Sequence, residues 1–122
     1  MLRWAAMTAR EDRARLVSLV ERCEADLGGV AAERDAGDAL AVELGGELAL
    51  RWRVTVLRAA IADPPDGDAV RELYGELVDR YRDDAASLAQ IKPLGDEIRK
   101  LEAAGELPST MVARSDRRPR KP

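Results

Sequence analysis

The apolar run from Glu47 to Ala62 constrains the fold of this chain more than any other feature. Its sequence, ELALRWRVTVLRAAIA, is the densest apolar stretch in the protein. On a helix, Arg51, Thr55 and Arg58 would share one narrow strip, at i, i+4 and i+7. Aliphatic side chains and one tryptophan cover most of the remaining circumference, which only Arg53 interrupts. A helix that is apolar on nearly all sides is one surrounded by neighbours. We therefore predict a central helix in a helical fold.

A β-hairpin over residues 39–56 is the alternative, because apolar side chains also alternate there with polar or small ones. Gly45-Gly46 at its middle suits a hairpin turn. A two-residue loop, however, would pair Leu44 with Glu47 and turn the two apolar faces to opposite sides. A three-residue loop with a bulge restores the match, but no third strand is evident to complete a sheet. The pattern favours a helix.

Length and composition indicate a globular protein. The chain has 122 residues, 46% of them hydrophobic and 35% charged, which suits one domain with a modest core. A single cysteine, Cys23, excludes an intramolecular disulfide and fits a reducing compartment. No segment approaches the roughly 20 apolar residues of a membrane span, and the start, MLRWAAMTARED, lacks the apolar core of a signal peptide. We expect a soluble, cytoplasmic protein that does not bind membranes, with Met1 or Met7 as its first residue.

The first helix is predicted to begin at Thr8, which forms a capping box with Glu11 and leaves residues 1–7 as an N-terminal extension. Gly28-Gly29 should end it. Residues from Val30 to Asp38 suit a frayed helix or a loop, with Asp38 as a cap for the central helix. Gly45-Gly46 would be a kink or a close-packing point within that helix. One face of the first helix is apolar: Leu16, Leu19, Val20, Cys23 and Leu27.

Two proline-containing segments divide the second half of the chain. Asp63 to Asp68 is a break after the central helix, and Asp66 or Asp68 caps the next one. That helix is predicted from Ala69 to about Ile91. Pro93 then marks a kink or corner, and a last short helix ends at Gly105. The apolar face of the long helix contains Val70, Leu73, Tyr74, Leu77, Tyr81, Ala85 and Leu88, and that of the last helix Leu94, Ile98 and Leu101.

The predicted architecture is therefore all-α. It is a small antiparallel bundle of three or four helices over residues 8–107, followed by a disordered basic C-terminal tail over residues 108–122.

The chain is poorly equipped for catalysis, and we expect no enzyme, no cofactor and no small-molecule substrate. It has no histidine, so it offers neither a Ser-His or Cys-His pair nor an imidazole metal ligand. Cys23 lies on an apolar stripe and should be a small buried hydrophobe. Asp63, Asp66 and Asp68 lack the spacing of a calcium loop and are better explained as helix caps. Asp83-Asp84 and the set Glu72, Glu76 and Asp79 are typical of a solvated helix face, so no metal is expected either.

Basic charge is concentrated at the C-terminus. Residues 114–121 carry a net charge of +4, while the rest of the chain carries −7. An acidic body with a basic tail suits contacts to a phosphate backbone, which need charge and little geometry. Plain solvation and an acidic protein partner are the alternatives. The candidate nucleic-acid-binding residues are Arg114, Arg117, Arg118, Arg120 and Lys121.

Short motifs between residues 50 and 118 carry a resemblance to a known family. They are Leu50-Arg51-Trp52, Asp68 through Leu73-Tyr74, Leu77-Val78-Asp79, Tyr81, Leu94-x-x-Glu97-Ile98-Arg99, Gly105-x-Leu107-Pro108 and the Arg-rich end. With these motifs, the second half resembles the small terminase subunits of phages of GC-rich bacteria, which help load DNA onto the packaging motor. The resemblance implies an oligomeric DNA-recognition subunit with no ATPase or nuclease of its own.

The sequence therefore supports two functional hypotheses. The first is a non-enzymatic DNA-recognition or adaptor subunit of a larger assembly, with a self-associating body and a tail that contacts phosphates. The second is a helical protein–protein module, regulatory or antitoxin-like, with no nucleic-acid role.

Overall fold

The computed structural model describes residues 2–62 and 67–107, with side chains from Ala9 onward, and it is all-α over these ranges. This confirms the predicted fold class. The described residues form five helices, where three or four were predicted. Two expected helices are each divided, and the second part of one of them joins the predicted last helix. The elements are α1 (Leu2–Ala25), a 3₁₀ turn (Leu27–Gly29), α2 (Val30–Leu44), α3 (Gly46–Ala62), α4 (Gly67–Arg80) and α5 (Ala85–Ala103).

The chain divides into two compact units, Met1–Ala59 and Ala60–Pro122. In the first unit α1 packs against α2, and in the second α4 packs against α5. None of the described helices is both long enough and apolar enough to cross a membrane.

Helix α1 begins at Leu2, so the predicted start at Thr8 is wrong. The residues before Thr8 include leucine, arginine, alanine and methionine, which all favour helix. These residues extend the helix through the capping-box position. Its end was predicted correctly, because α1 stops at Ala25 before Gly28-Gly29. There the Asp26 carboxylate accepts a hydrogen bond from the Gly28 N–H at 3.1 Å and caps the 3₁₀ turn.

The hairpin alternative over residues 39–56 is excluded, because this stretch is helical on both sides of Gly45. Gly45-Gly46 separates two helices where a kink within one was predicted. Both glycines have positive φ angles, +62° and +72°, which end the helix at this point. Asp38 therefore lies inside α2 and does not cap the central helix.

The long helix predicted from Ala69 to Ile91 is also wrong: α4 ends at Arg80 and α5 starts at Ala85. Asp84 is the reason for the break. Its carboxylate accepts the Ser87 backbone N–H at 3.2 Å and the Ser87 hydroxyl at 2.7 Å, which makes it the N-cap of α5. Asp84 thus does more than lie on a solvated helix face, as the sequence had suggested.

Pro93 does not mark a corner, because α5 continues through it to Ala103. The predicted last short helix is the second half of α5. A proline in a helix interior removes one hydrogen bond and crowds the preceding turn, and apolar burial offsets that cost here: Ile91 and Leu94 on either side are buried. Gly105, with a φ of +72°, ends the helix as predicted.

The buried apolar residues follow the predicted stripe closely in α1, apart from the half-buried Leu27, and only in part in the second unit. In the second unit, Val70 and Leu77 of α4 are buried as expected, whereas Leu73, Tyr74, Tyr81 and Leu88 are half-buried and Ala85 is exposed. In the first unit, α3 is buried on most sides, as its composition indicated. Its buried residues include Leu48, Ala49, Leu50, Trp52, Val54, Val56 and Leu57, and those of α1 are Leu16, Leu19, Val20 and Cys23.

Trp52 is the largest fully buried side chain among the described residues of the first unit. Its indole ring lies directly on Gly37 of α2, where a Cβ atom would come within 2.0 Å of the ring. The indole N–H donates to the Asp38 carboxylate at 2.8 Å, and the Arg34 guanidinium binds the other oxygen at 2.8 Å. Gly37 and Asp38 thus provide the space and the hydrogen-bond acceptor that a buried tryptophan needs.

The Asp84 cap is expected to make the stability of α5 depend on pH. Hydrogen bonds from the Ser87 hydroxyl and backbone N–H lower the pKa of the Asp84 carboxyl below its ordinary value. A carboxyl group whose pKa is lower in the folded than in the unfolded protein stabilises the fold at pH values above its unfolded-state pKa, about 3.9 for aspartate. That stabilisation is lost as the pH falls through the folded-state pKa. Asp84→Asn keeps a capping oxygen without the titration. We expect the melting temperature to fall less for Asp84→Asn than for the parent between pH 6 and pH 2.5.

Asp83→Asn is the matched control, because Asp83 is equally exposed and does not cap α5. It should follow the parent across the same pH range. A parent and an Asp84→Asn variant with identical pH profiles would contradict a titrating cap.

Candidate nucleic-acid interface

The predicted phosphate-binding residues lie outside the part of the chain that the structure describes. Their positions therefore remain a prediction from the sequence. The last described residue before them is Leu107, and the first of them follows seven residues later. The five residues are Arg114, Arg117, Arg118, Arg120 and Lys121.

Leu107, the last described residue before the basic segment, is held firmly in the second unit. Its side chain is buried, and its carbonyl oxygen accepts a hydrogen bond from Arg71 Nη2 at 3.1 Å. The same guanidinium binds Glu102 through Nε and Asp68 through Nη1. Arg71 of α4 thus joins its own first turn, the last turn of α5 and the segment that follows α5. We call Arg71, Asp68, Glu102 and Leu107 the Arg71 clamp.

The chain turns sharply just before this clamp. The Glu106 N–H donates to the Leu101 carbonyl at 2.8 Å, and the Gly105 N–H donates to the Glu102 carbonyl at 3.1 Å. This pair of bonds around a glycine of positive φ is the Schellman arrangement, which satisfies the last carbonyls of a helix. The end of the described chain, at Leu107, is therefore fixed by the turn and by Arg71.

The folded surface of the second unit is acidic. Residues 67–107 contain six Lys and Arg against ten Asp and Glu, a net charge of −4, and nine of the ten carboxylates are exposed. Arg82 and Arg99 each pair with a carboxylate three residues away. A negatively charged surface repels a phosphate backbone. Any phosphate contact near this unit therefore needs a separate source of positive charge.

Arg51 and Arg58 are the cations of the central helix that the sequence places on one strip. Arg51 is engaged, because its guanidinium binds Glu24 of α1 through Nη2 at 2.8 Å and Nε at 3.4 Å. That hydrogen bond raises the pKa of Arg51 above its ordinary value. Arg58 is exposed and forms no ion pair with a described residue. Between them, Thr55 is buried and donates its hydroxyl to the Arg51 carbonyl at 2.8 Å, so the strip is not a continuous polar surface.

Cys23 is buried as predicted. Burial raises the pKa of its thiol, and the nearby Glu33 carboxylate raises it further. The thiol is therefore protonated at neutral pH and is a poor nucleophile. Beside it lies an open pocket of about 320 Å³ lined by Arg22, Cys23, Asp26, Gly29 and Glu33. Among the described residues, no group of three His, Cys, Asp or Glu side chains is arranged to hold a metal ion.

Sequence reasoning missed the Arg71 clamp. Asp68 and Arg71 are three residues apart on α4 and show the local part of the signal, since i,i+3 pairs of opposite charge are neighbours on a helix. Glu102 and Leu107 are more than 30 residues away, so their contact with Arg71 depends on how α4 and α5 pack. The calcium alternative for the loop before α4 falls partly on residues 63–66, which lie outside the described ranges. Asp68 itself is the first-turn partner of Arg71.

Comparison with known proteins identifies no relative of this chain. No protein family, no curated protein and no solved structure matches the chain.

Proposed function

We propose that this chain is a non-enzymatic helical adaptor that recognises DNA within a larger assembly, in the manner of a phage terminase small subunit. In this proposal the basic segment 114–121 contacts the phosphate backbone. The helical body holds that segment in place and associates with other subunits. Neither ATP hydrolysis nor DNA cleavage is assigned to the chain.

The observation that carries the proposal is the position of the Arg71 clamp. It fixes Leu107 to an acidic helical unit, seven residues before the first cation of a segment with a net charge of +4. An extended chain covers at most about 3.6 Å per residue, so the first cation lies within roughly 25 Å of the clamp. The acidic unit repels phosphate and the basic segment attracts it. This separation of charge favours a nucleic-acid contact made by the tail alone.

The salt dependence of DNA binding tests this proposal. Each phosphate contact on duplex DNA contributes about −0.9 to the slope of log K against log salt concentration, so five contacts give at most about −4.5. Removing residues 114–122 should flatten the slope and leave only slight binding, because the remaining chain is acidic. Fluorescence anisotropy with a labelled duplex, measured from about 20 to 200 mM salt, gives both slopes.

A full-length variant with all five cations replaced by glutamine is the matched control for chain length. It should behave like the truncated protein, with unchanged helical circular dichroism, since the changes begin seven residues beyond Leu107. If both altered proteins bind DNA with the parental slope, the tail does not contact phosphate. If the parent does not bind DNA at all, the protein–protein module becomes the better hypothesis.

A further inference from the structure

One exposed face of α1 has its charges separated along the helix. Arg10 and Arg13 lie in its first half, and Glu21 and Glu24 lie in its second half, with Val17 between them. At 100° per residue these positions fall within an arc of about 80°, to one side of the buried stripe. We call the set Arg10, Arg13, Ala14, Val17, Glu21 and Glu24 the α1 stripe.

The basic half of the α1 stripe is open to solvent. Arg10 and Arg13 are both exposed, and neither forms an ion pair with a described residue. Arg15, which points away from the stripe, pairs with Asp12 at 2.9 Å. Two neighbouring guanidinium groups one helical turn apart therefore face outward without a carboxylate among the described residues.

The acidic half is also accessible. Glu21 is exposed and forms no ion pair with a described residue. Glu24 binds Arg51 at 2.8 Å, yet 39% of its side chain remains exposed. The Arg51 contact therefore leaves a net negative charge on this half. Between the two halves, Ala14 is exposed and Val17 is half-buried, which gives the stripe a small, partly apolar centre where another helix can approach.

We propose that the α1 stripe is a self-association surface, on which α1 of a second copy of this chain packs antiparallel. A two-fold axis at Val17 places Arg10 opposite Glu24 of the other copy and Arg13 opposite Glu21. Each pair occurs twice, as in any isologous interface. The two valines meet at the axis, and Ala14 leaves room for close packing. Heptad spacing of Arg10, Val17 and Glu24 keeps these residues on the contact line.

Charge also selects this partner and orientation over others. A parallel pair of α1 helices would place arginine against arginine and glutamate against glutamate. A nucleic acid would be attracted by the first half of the stripe and repelled by the second. An antiparallel helix with the same charge order satisfies both halves, and a second copy of the chain supplies one.

A contact between two single helix faces is small compared with a stable protein interface, which buries about 1,200–2,000 Å². The dimer is therefore weak and depends on ionic strength. The Debye length falls from about 10 Å at 0.1 M salt to about 3 Å at 1 M, so raising the salt concentration removes most of the attraction between the halves. This inference specifies the self-association in the proposed function, and its test needs no DNA.

Charge reversal tests the antiparallel arrangement directly. Arg13→Glu makes the basic half of the stripe neutral, and Glu21→Arg removes the net negative charge of the acidic half. Sedimentation velocity at 20 mM salt, over protein concentrations from about 10 µM to 1 mM, should show a concentration-dependent dimer for the parent. The dissociation constant of the dimer should be at least ten-fold higher for each variant alone than for the parent.

Mixing the two variants should restore dimerisation, because both crossed pairs then join opposite charges. In one pair, the glutamate introduced by Arg13→Glu meets the arginine introduced by Glu21→Arg on the other chain. In the second pair, the unchanged Glu21 of the first variant meets the unchanged Arg13 of the second, as in the parent. The equimolar mixture should therefore dimerise as the parent does. Arg58→Glu, an equal change of charge on α3, is the control and should leave dimerisation unchanged. Helical circular dichroism of every variant verifies folding.

Three results would overturn the proposal. The first is a parent protein that stays monomeric at 1 mM protein in 20 mM salt. The second is an Arg13→Glu variant that dimerises as the parent does. The third is a mixture of the two variants that associates no better than each variant alone. Because DNA is absent, none of these results bears on the tail, and loss of DNA binding would leave the dimer intact.

Discussion

Gly37→Ala is expected to lower the stability of the first unit by about 2 kcal/mol. The new Cβ atom would lie 2.0 Å from Cζ2 and 2.2 Å from Cε2 of Trp52. Trp52 is fully buried, so the ring has no free space into which to move, and overpacking of this kind costs typically about 1–3 kcal/mol or more. Moving the ring also disturbs its hydrogen bond to Asp38. These losses exceed the roughly 1 kcal/mol that alanine gains over glycine in a helix.

The measurement is a thermal unfolding curve followed by circular dichroism, with a fall in melting temperature of roughly 10 °C. Gly75→Ala is the matched control, because Gly75 lies inside α4, is exposed, and has nothing within 4 Å of its Cβ position. At Gly75 only the higher helix propensity of alanine changes the stability, and it should stabilise the protein by about 0.5–1 kcal/mol. A stability that falls for Gly37→Ala and rises for Gly75→Ala would locate the tight contact at Gly37. Stability changes of the same sign in both variants would contradict it.

Leu77→Asp is expected to abolish the cooperative unfolding of the second unit. Leu77 is only 6% exposed, and truncating a buried leucine already costs about 2–5 kcal/mol. Aspartate adds the cost of burying a charge without a partner. The sum is comparable with the whole stability of a small domain. Circular dichroism should show reduced helicity at 25 °C and a broad melting curve.

Val42→Asp is the control for this change. Val42 is 74% exposed on α2, so aspartate there meets water and should change stability by no more than about 0.5 kcal/mol. A Leu77→Asp protein that melts like the parent would mean that the apolar face of α4 has been assigned incorrectly.

Periodicity predicted the buried faces well. Leu16, Leu19, Val20 and Cys23 repeat at the helical period, and all four are buried, while Leu27 at the end of the same predicted face is half-buried. The same reasoning placed Trp52 and Leu77 in the core. A hydrophobic stripe reports directly on which side of a helix is buried, so neither prediction needed knowledge of the tertiary contacts.

Periodicity failed at the ends of helices because it continues across them. Tyr81 and Leu88 extend the apolar face of α4 as if no break intervened, although the chain turns between Arg80 and Ala85. The signal for that break is the short Asp84-x-x-Ser87 pattern, which competes locally with continued helix. At Pro93 the error was the opposite one, because a helix end was predicted where α5 continues. Packing on both sides of Pro93 outweighs the local preference for a helix end.

The candidate site was predicted from net charge alone, which gives a segment and no geometry. Its five cations lie outside the described ranges, so that part of the prediction is untested. What the structure adds is the Arg71 clamp. No local pattern encodes its contact with the Leu107 carbonyl, because the two residues are 36 positions apart and meet only through the packing of α4 on α5.

Gly45-Gly46 has a consequence for how sequence variation in this protein would be read. Neither glycine is crowded, since no atom lies within 4 Å of either Cβ position, yet both need backbone angles that other residues rarely adopt. Natural selection would therefore preserve two solvent-accessible positions without any ligand being involved. Invariant residues at a protein surface are commonly interpreted as a binding site. At this junction such invariance would record only the change of chain direction from α2 to α3.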